Sequence, residues 1–167
     1  MSEQVEVPVP TADDMRELGR SLGGLLRAGD LVVVTGDLGS GKTTLTQGIG
    51  VALGVRGPVT SPTFVIAREH PSLVDGPPLV HVDAYRIGGL AEIDDLDLDA
   101  SVEEAITVVE WGEGLVEVLA PDRLEVHLHR RRGADVAAPV SDADAPDEPR
   151  TATLRGVGER WVGVALA

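Results

Sequence analysis

The chain has 167 residues, 43% of them hydrophobic but only 2% aromatic, so one domain with a core of Val, Leu, Ile and Ala is expected. There is no cysteine, which excludes disulfides and thiolate metal sites and favours an intracellular setting. Acids outnumber bases 28 to 14, for a net charge of −14; nucleic-acid binding draws on Lys and Arg to neutralise phosphates, so any role in a nucleic-acid pathway calls for a partner that holds the nucleic acid.

No apolar run reaches the roughly 18–20 residues of a membrane span. The opening "MSEQVEVPVP" lacks a basic region followed by an apolar core. Together these predict a cytoplasmic protein without a membrane anchor.

In chain order, "VEVPVP" (Val5–Pro10) reads as an edge strand, where proline is tolerated. Thr11 offers an N-cap with Asp14 three residues on. Met15, Leu18, Leu22, Leu25 and Leu26 follow at helical spacing, up to Gly29 and Asp30. "LVVVTG" (Leu31–Gly36) is continuously apolar and β-branched, the signature of a strand buried on both faces. A helix is expected from Lys42 to Leu53, ended by Gly54.

"TFVIARE" (Thr63–Glu69) and "LVHVDAYRI" (Leu79–Ile87) read as strands, the second with Leu79, His81, Asp83 and Tyr85 on one face. The acidic run Glu92–Glu104 is either a solvated face or a docking surface. "ITVVEWGE" (Ile106–Glu113) is another buried-type strand, and "RLEVHLHR" (Arg123–Arg130) alternates cleanly. Residues 133–149, rich in Ala, Asp and Pro, are expected to form a flexible loop, and Arg150–Ala167 a terminal hairpin. The pattern predicts an α/β fold of three layers, spanning residues 1–167 as one domain. Its central sheet is mainly parallel, with the later, alternating strands as antiparallel additions.

Within that frame, Gly36–Thr43 reads G-x-x-x-x-G-K-T between a buried strand and a helix. Glycines at 36, 39 and 41 let the backbone turn and expose N–H groups to anionic oxygens, and the helix adds the positive end of its dipole. Lys42 has the reach for β- and γ-phosphates, and the Thr43 hydroxyl is a ligand for Mg²⁺. Mg²⁺ wants hard oxygen ligands, and phosphoryl transfer needs a group to orient the attacking water. Asp83 and Glu110, at the ends of apolar strands, are the candidates, with their division of labour open. "TSPTF" (Thr60–Phe64) is either a turn or a switch-like loop sensing the γ-phosphate. His81 is read as strand packing or a hydrogen-bond partner ahead of a base, and Trp111 as core, as lining of the nucleotide site or as part of a partner surface.

The series "GDLGSGKTT", "SPTF", "HVDAYR" and "VEWGE" resembles the bacterial TsaE family, ATPases of tRNA threonylcarbamoyladenosine biosynthesis, from about Pro8 to His129. The resemblance implies a small P-loop ATPase, weak alone. It would assist formation of threonylcarbamoyladenosine (t6A) beside the anticodon and dock on a TsaD-like transferase and its TsaB-like homologue. Contact with tRNA is then indirect. Matched by position, Gly39, Ser40, Gly41, Lys42, Thr43 and Thr44 would hold the phosphates of ATP or ADP, and Thr43 and Glu110 would hold Mg²⁺. Asp83 would sit near the γ-phosphate, Thr63 in the switch-like loop, Trp111 beside the metal acid and Thr11 by the adenine; Lys42, Asp83 and Glu110 form the catalytic set. The 133–149 loop departs from the family's compact pattern, so no contact is carried past about His129.

Rival readings are a small-molecule P-loop kinase and a non-hydrolysing, nucleotide-dependent interaction module. Arg68 and Arg86 are available to the first, but no arginine-rich lid is evident. A GTPase usually reads guanine through Asn-Lys-x-Asp, and this chain has no asparagine.

Overall fold

The computed structural model describes residues 4–36, 41–55, 67–83, 104–110, 122–130 and 150–166. Its elements are β1 (Gln4–Val9), α1 (Ala12–Gly23), β2 (Leu31–Gly36), α2 (Lys42–Leu53), β3 (Ala67–His70), β4 (Leu79–Asp83), β5 (Ile106–Glu110), β6 (Arg123–Arg130) and β7 (Arg150–Val157), then a 3-10 turn over Glu159–Trp161. The strands form one sheet in the order β1-β7-β6-β2-β5-β4-β3.

The centre, β6-β2-β5-β4, is parallel. Strands β3, β7 and β1 add antiparallel edges. Antiparallel addition thus starts one strand later than the alternation in Arg123–Arg130 suggests. β6 lies beside β2 with Val34 opposite Val126, and only β7 reverses direction. The alternation is real, since Leu124, Val126 and Leu128 are buried while the intervening side chains are not.

One face of the sheet carries both helices. Val32 and Val34 of β2, Ile106 and Val108 of β5, and Leu124 and Val126 of β6 share one core cluster with Met15, Leu18, Leu22, Leu45 and Ile49. On the opposite face Val33, Val80, Val82, Thr107 and Val109 are also buried. The sheet centre is therefore covered on both sides, as a three-layer arrangement requires. Among the described residues no helix is long and apolar enough to cross a membrane.

α1 starts at a complete capping box: the Asp14 amide donates to Thr11 Oγ1 (3.1 Å), and the Thr11 amide donates to Asp14 Oδ2 (3.2 Å). It stops at Gly23, six residues before the expected Gly29. Two adjacent glycines, 23 and 24, make further helix costly. The chain then turns, with the Arg27 amide donating to Asp30 Oδ2 and the Asp30 amide to the Arg27 carbonyl. α2 has the expected bounds and ends at Gly54 in the left-handed region, φ 67°.

The expected C-terminal hairpin is not formed. β7 is already paired on both edges, with β6 and β1, so no edge is left for a returning strand. Instead Gly158, φ 97°, turns the chain into the 3-10 segment, and Trp161 packs on Gly156. Arg160 there forks onto Asp30, Nε to Oδ1 and Nη2 to Oδ2 both at 3.0 Å, and donates to the Leu25 carbonyl at 2.7 Å. This part-buried pair ties the 3-10 segment to the turn entering β2.

Candidate nucleotide site

Strand directions gather the site. In a parallel α/β sheet, ligands bind beyond the carboxyl ends of the strands. β2, β4 and β5 all end on that side, at Gly36, Asp83 and Glu110. The register sets Val34 beside Glu110 and Glu110 beside Asp83. Two acids from distant segments thus occupy adjacent positions next to the strand that feeds the glycine-rich loop.

α2 begins at Gly41, whose φ of 101° is left-handed and natural only to glycine. A Cβ there would lie 3.0 Å from Met15 Cε, so α1 presses against the entrance of α2. The start of α2 has no side-chain cap and no acid in its first turn. Its first return bond is Leu45 N–H to the Gly41 carbonyl. The amides before it have no helical acceptor, and the helix dipole favours an anion in front of them. α1, of the same length, has its own start closed by Thr11 and Asp14.

Lys42 is buried, and its Nζ donates to the Gly36 carbonyl at 2.9 Å, which holds the ammonium at the carboxyl edge of β2. Thr43 Oγ1 donates to Glu110 Oε1 at 3.3 Å. His81 Nε2 meets the same oxygen at 3.0 Å. Glu110 is only 3% exposed, and burying a carboxylate is costly unless donors surround it. Thr43 and His81 supply them. The hydroxyl and carboxylate oxygens form a hard donor pair suited to a small divalent cation. Thr46, one turn beyond Lys42, donates to the Lys42 carbonyl and steadies the first turn of α2.

Of the residues named from the sequence, Gly41, Lys42, Thr43, Thr44 and Glu110 are therefore drawn to one edge of the sheet. Asp83 is placed by the register of β4, and its side chain lies outside the described set. Gly39, Ser40, Thr63 and Trp111 lie outside the described residues, as does the 133–149 segment. The Thr11 hydroxyl is engaged with Asp14, at the start of the helix that reaches Gly41 through Met15. Sequence reasoning missed Met15 as a neighbour of Gly41, because its helical spacing reads as ordinary core. It left His81 between packing and bonding; the available signal was its position two residues before Asp83 on the same strand face.

A strand, a glycine-rich turn, a helix opening on Lys-Thr and an acid on the adjacent parallel strand define a P-loop NTPase fold. The sequence comparisons specify which branch. The family described as "Threonylcarbamoyl adenosine biosynthesis protein TsaE" matches residues 9–136. The tRNA threonylcarbamoyladenosine biosynthesis protein TsaE of Streptomyces coelicolor is 62% identical over 148 residues, 88% of this chain and 93% of that protein. The protein of the same name from Bacillus subtilis is 32% identical over 150 residues, 89% of this chain and 84% of its own. A crystal structure of Bacillus subtilis YdiB superposes with a TM-score of 0.69 at 28% identity, covering 97% of this chain and 91% of that one. The chain belongs to the TsaE family.

Proposed function

We propose that this chain is the ATP-binding and ATP-hydrolysing subunit of t6A formation on tRNA, working with a TsaD-like transferase and a TsaB-like homologue. The observation that carries the reading is the meeting of Thr43 and Glu110 at 3.3 Å beside the entrance of α2. Gly39 to Thr44 would cradle the phosphates of ATP or ADP, with Lys42 on the β- and γ-phosphates. Thr43 and Glu110 would hold Mg²⁺; their paired oxygens fit that ion's preference. When bound, the ion supplies charge neutralisation to the phosphate oxygens. Asp83, beside Glu110 in the sheet, would orient the attacking water or hold the metal's water shell, and Thr63 and Trp111 would complete the pocket.

Net charge supports an indirect contact with tRNA: at −14 the chain is poorly suited to grip a polyanion alone. Turnover would be slow until the transferase partners dock, and the cycle would take place in the cytoplasm.

The test is reconstitution. Phosphate release from ATP and t6A in tRNA digests, measured by mass spectrometry, should both rise when the chain is added to the two partners with Mg²⁺. Unchanged t6A with and without the chain, or after its depletion in cells, overturns the reading. Phosphate transfer to a metabolite in place of release would favour a kinase.

A further inference from the structure

We propose that His81 is a positioning residue for Glu110, fixing the carboxylate so that its free edge faces a cation shared with Thr43. The inference rests on the nucleotide-binding reading above.

His81 is fully buried on β4, between Leu79 and Asp83, with Val108 of β5 opposite it. The surrounding face is aliphatic, and an imidazole there is disfavoured unless its polar atoms find partners. Nε2 lies 3.0 Å from Glu110 Oε1. An ionised carboxylate only accepts, so Nε2 carries the proton and donates. Nδ1 has no partner among the described residues. Among the described residues the ring is thus committed to Glu110 alone.

Thr43 Oγ1 donates to the same oxygen, Oε1. Two donors, one from the sheet and one from α2, converge on it from different elements. That fixes the torsion of the carboxyl group. Among the described residues, the hydrogen bonds of the carboxylate fall on Oε1, which leaves Oε2 without a described donor. A histidine filling core space would not need to meet the acid on this face. An outer partner that orients a ligating carboxylate typically matters by about 10–100-fold in metal affinity.

The experiment titrates Mg²⁺ against binding of a fluorescent ADP analogue, in wild type and in His81→Leu, His81→Gln and His81→Asn. The leucine fills the space without a donor. The glutamine amide nitrogen reaches roughly where Nε2 sits, and the asparagine amide falls short. His81→Leu should raise the Mg²⁺ midpoint about 10-fold and leave binding in EDTA unchanged. His81→Gln should restore most of the midpoint, and His81→Asn should not. In a Glu110→Gln background, His81→Leu should add less than about twofold, since the effect runs through Glu110.

Thermal melting establishes that each variant is folded; should His81→Leu fail to fold, His81→Asn carries the same comparison. A midpoint within about twofold of wild type in a folded donor-less variant, or a His81→Gln as impaired as His81→Asn, overturns the inference. A wild-type nucleotide affinity that is the same with Mg²⁺ as in EDTA would instead overturn the reading beneath it, so the two failures are distinct.

Discussion

Thr43 and Glu110 stand 67 residues apart in the chain and meet at 3.3 Å, hydroxyl to carboxylate, across the junction of α2 and β5. The contact requires that β5 lie directly beside β2 in parallel register, because only then does Glu110 end level with the turn that opens α2. The sheet order is thus what turns a phosphate motif and a distant acid into one site.

Removing either member of that pair should separate nucleotide binding from turnover. Thr43→Ala and Glu110→Ala are expected to retain nucleotide in EDTA but lose Mg²⁺-dependent hydrolysis. Metal stabilisation of phosphoryl charge is worth several kcal/mol, so partner-stimulated phosphate release should fall at least roughly 100-fold. A steady-state phosphate assay with the transferase partners present reads this directly. Glu110→Ala that hydrolyses at the wild-type rate would remove the acid from the site.

Lys42→Ala should act earlier, on binding itself. Its ammonium is held at the carboxyl edge of β2 by the Gly36 carbonyl. A charge-assisted hydrogen bond to phosphate contributes about 1.5–3 kcal/mol, so ATP affinity should drop roughly 10–100-fold or more. Isothermal titration with ATP and ADP checks it. A cooperative melt of the variant is the necessary control, because the lysine stem is buried.

The central strands and α2 could be read from the chain because their signals are local. A continuous apolar run fixes β2, and Gly41 and Gly54 bracket α2 at the positions where the backbone needs a left-handed residue. The capping box of α1 was equally legible. The end of that helix was not: Leu25 and Leu26 continue the spacing, and only the cost of the glycine pair and the turn bonds of Asp30 decide otherwise. Strand order was invisible for a different reason. Alternation in β6 reports that one face is less buried, which an outer parallel strand shares with an antiparallel one. The pairing of Asp83 with Glu110 depends on register between segments far apart in sequence, which no local pattern encodes. His81 and the Arg160–Asp30 pair belong to the same class of contact.

The capping box provides a test of what Thr11 does. Its hydroxyl and amide are both bonded to Asp14. Thr11→Ala should cost about 1 kcal/mol, a fall in Tm of roughly 2–4 °C for a chain of this size. Thr11→Ser should be near wild type. A loss of ATP affinity in Thr11→Ala beyond that small destabilisation, seen by titration well below Tm, would mark an adenine contact in addition to the cap.

Arg160→Ala should be the more damaging change. It leaves Asp30, only 5% exposed, with the Arg27 amide as its remaining described donor and removes the ring contact of the guanidinium, 4.4 Å from the Trp161 centroid. Breaking one side of a fully buried pair costs about 3–5 kcal/mol; this part-buried pair, whose acid keeps the Arg27 amide, should lose less. Arg160→Lys should recover only part, since an ammonium cannot reproduce the two-pronged geometry. Urea unfolding of the single variants and the Asp30→Asn, Arg160→Ala double variant measures the coupling. A double variant no worse than Arg160→Ala alone would show that the cost lies in the stranded charge.

The last prediction concerns how close α1 and α2 come. Gly19 and Gly48 face each other, and a Cβ on Gly48 would lie 3.0 Å from Gly19 Cα while running into the Arg16 carbonyl. Both obstacles are backbone, so neither can rotate away. Gly48→Ala gains about 1 kcal/mol of helix propensity but meets an overpacking cost of roughly 1–3 kcal/mol or more. Net destabilisation is expected. Gly24→Ala is the matched control: its φ of −67° suits alanine, and the nearest atom to its Cβ is 3.5 Å away. That variant should be neutral or gain about 0.4–1 kcal/mol. Because Met15 of α1 abuts Gly41, pushing the helices apart should also loosen the entrance of α2. Gly48→Ala is therefore expected to weaken nucleotide binding at temperatures where it is still folded, whereas Gly24→Ala leaves binding unchanged. Equal stability and affinity in the two variants, by melting and by ATP titration, would show that the packing of α1 on α2 does not support the entrance of α2.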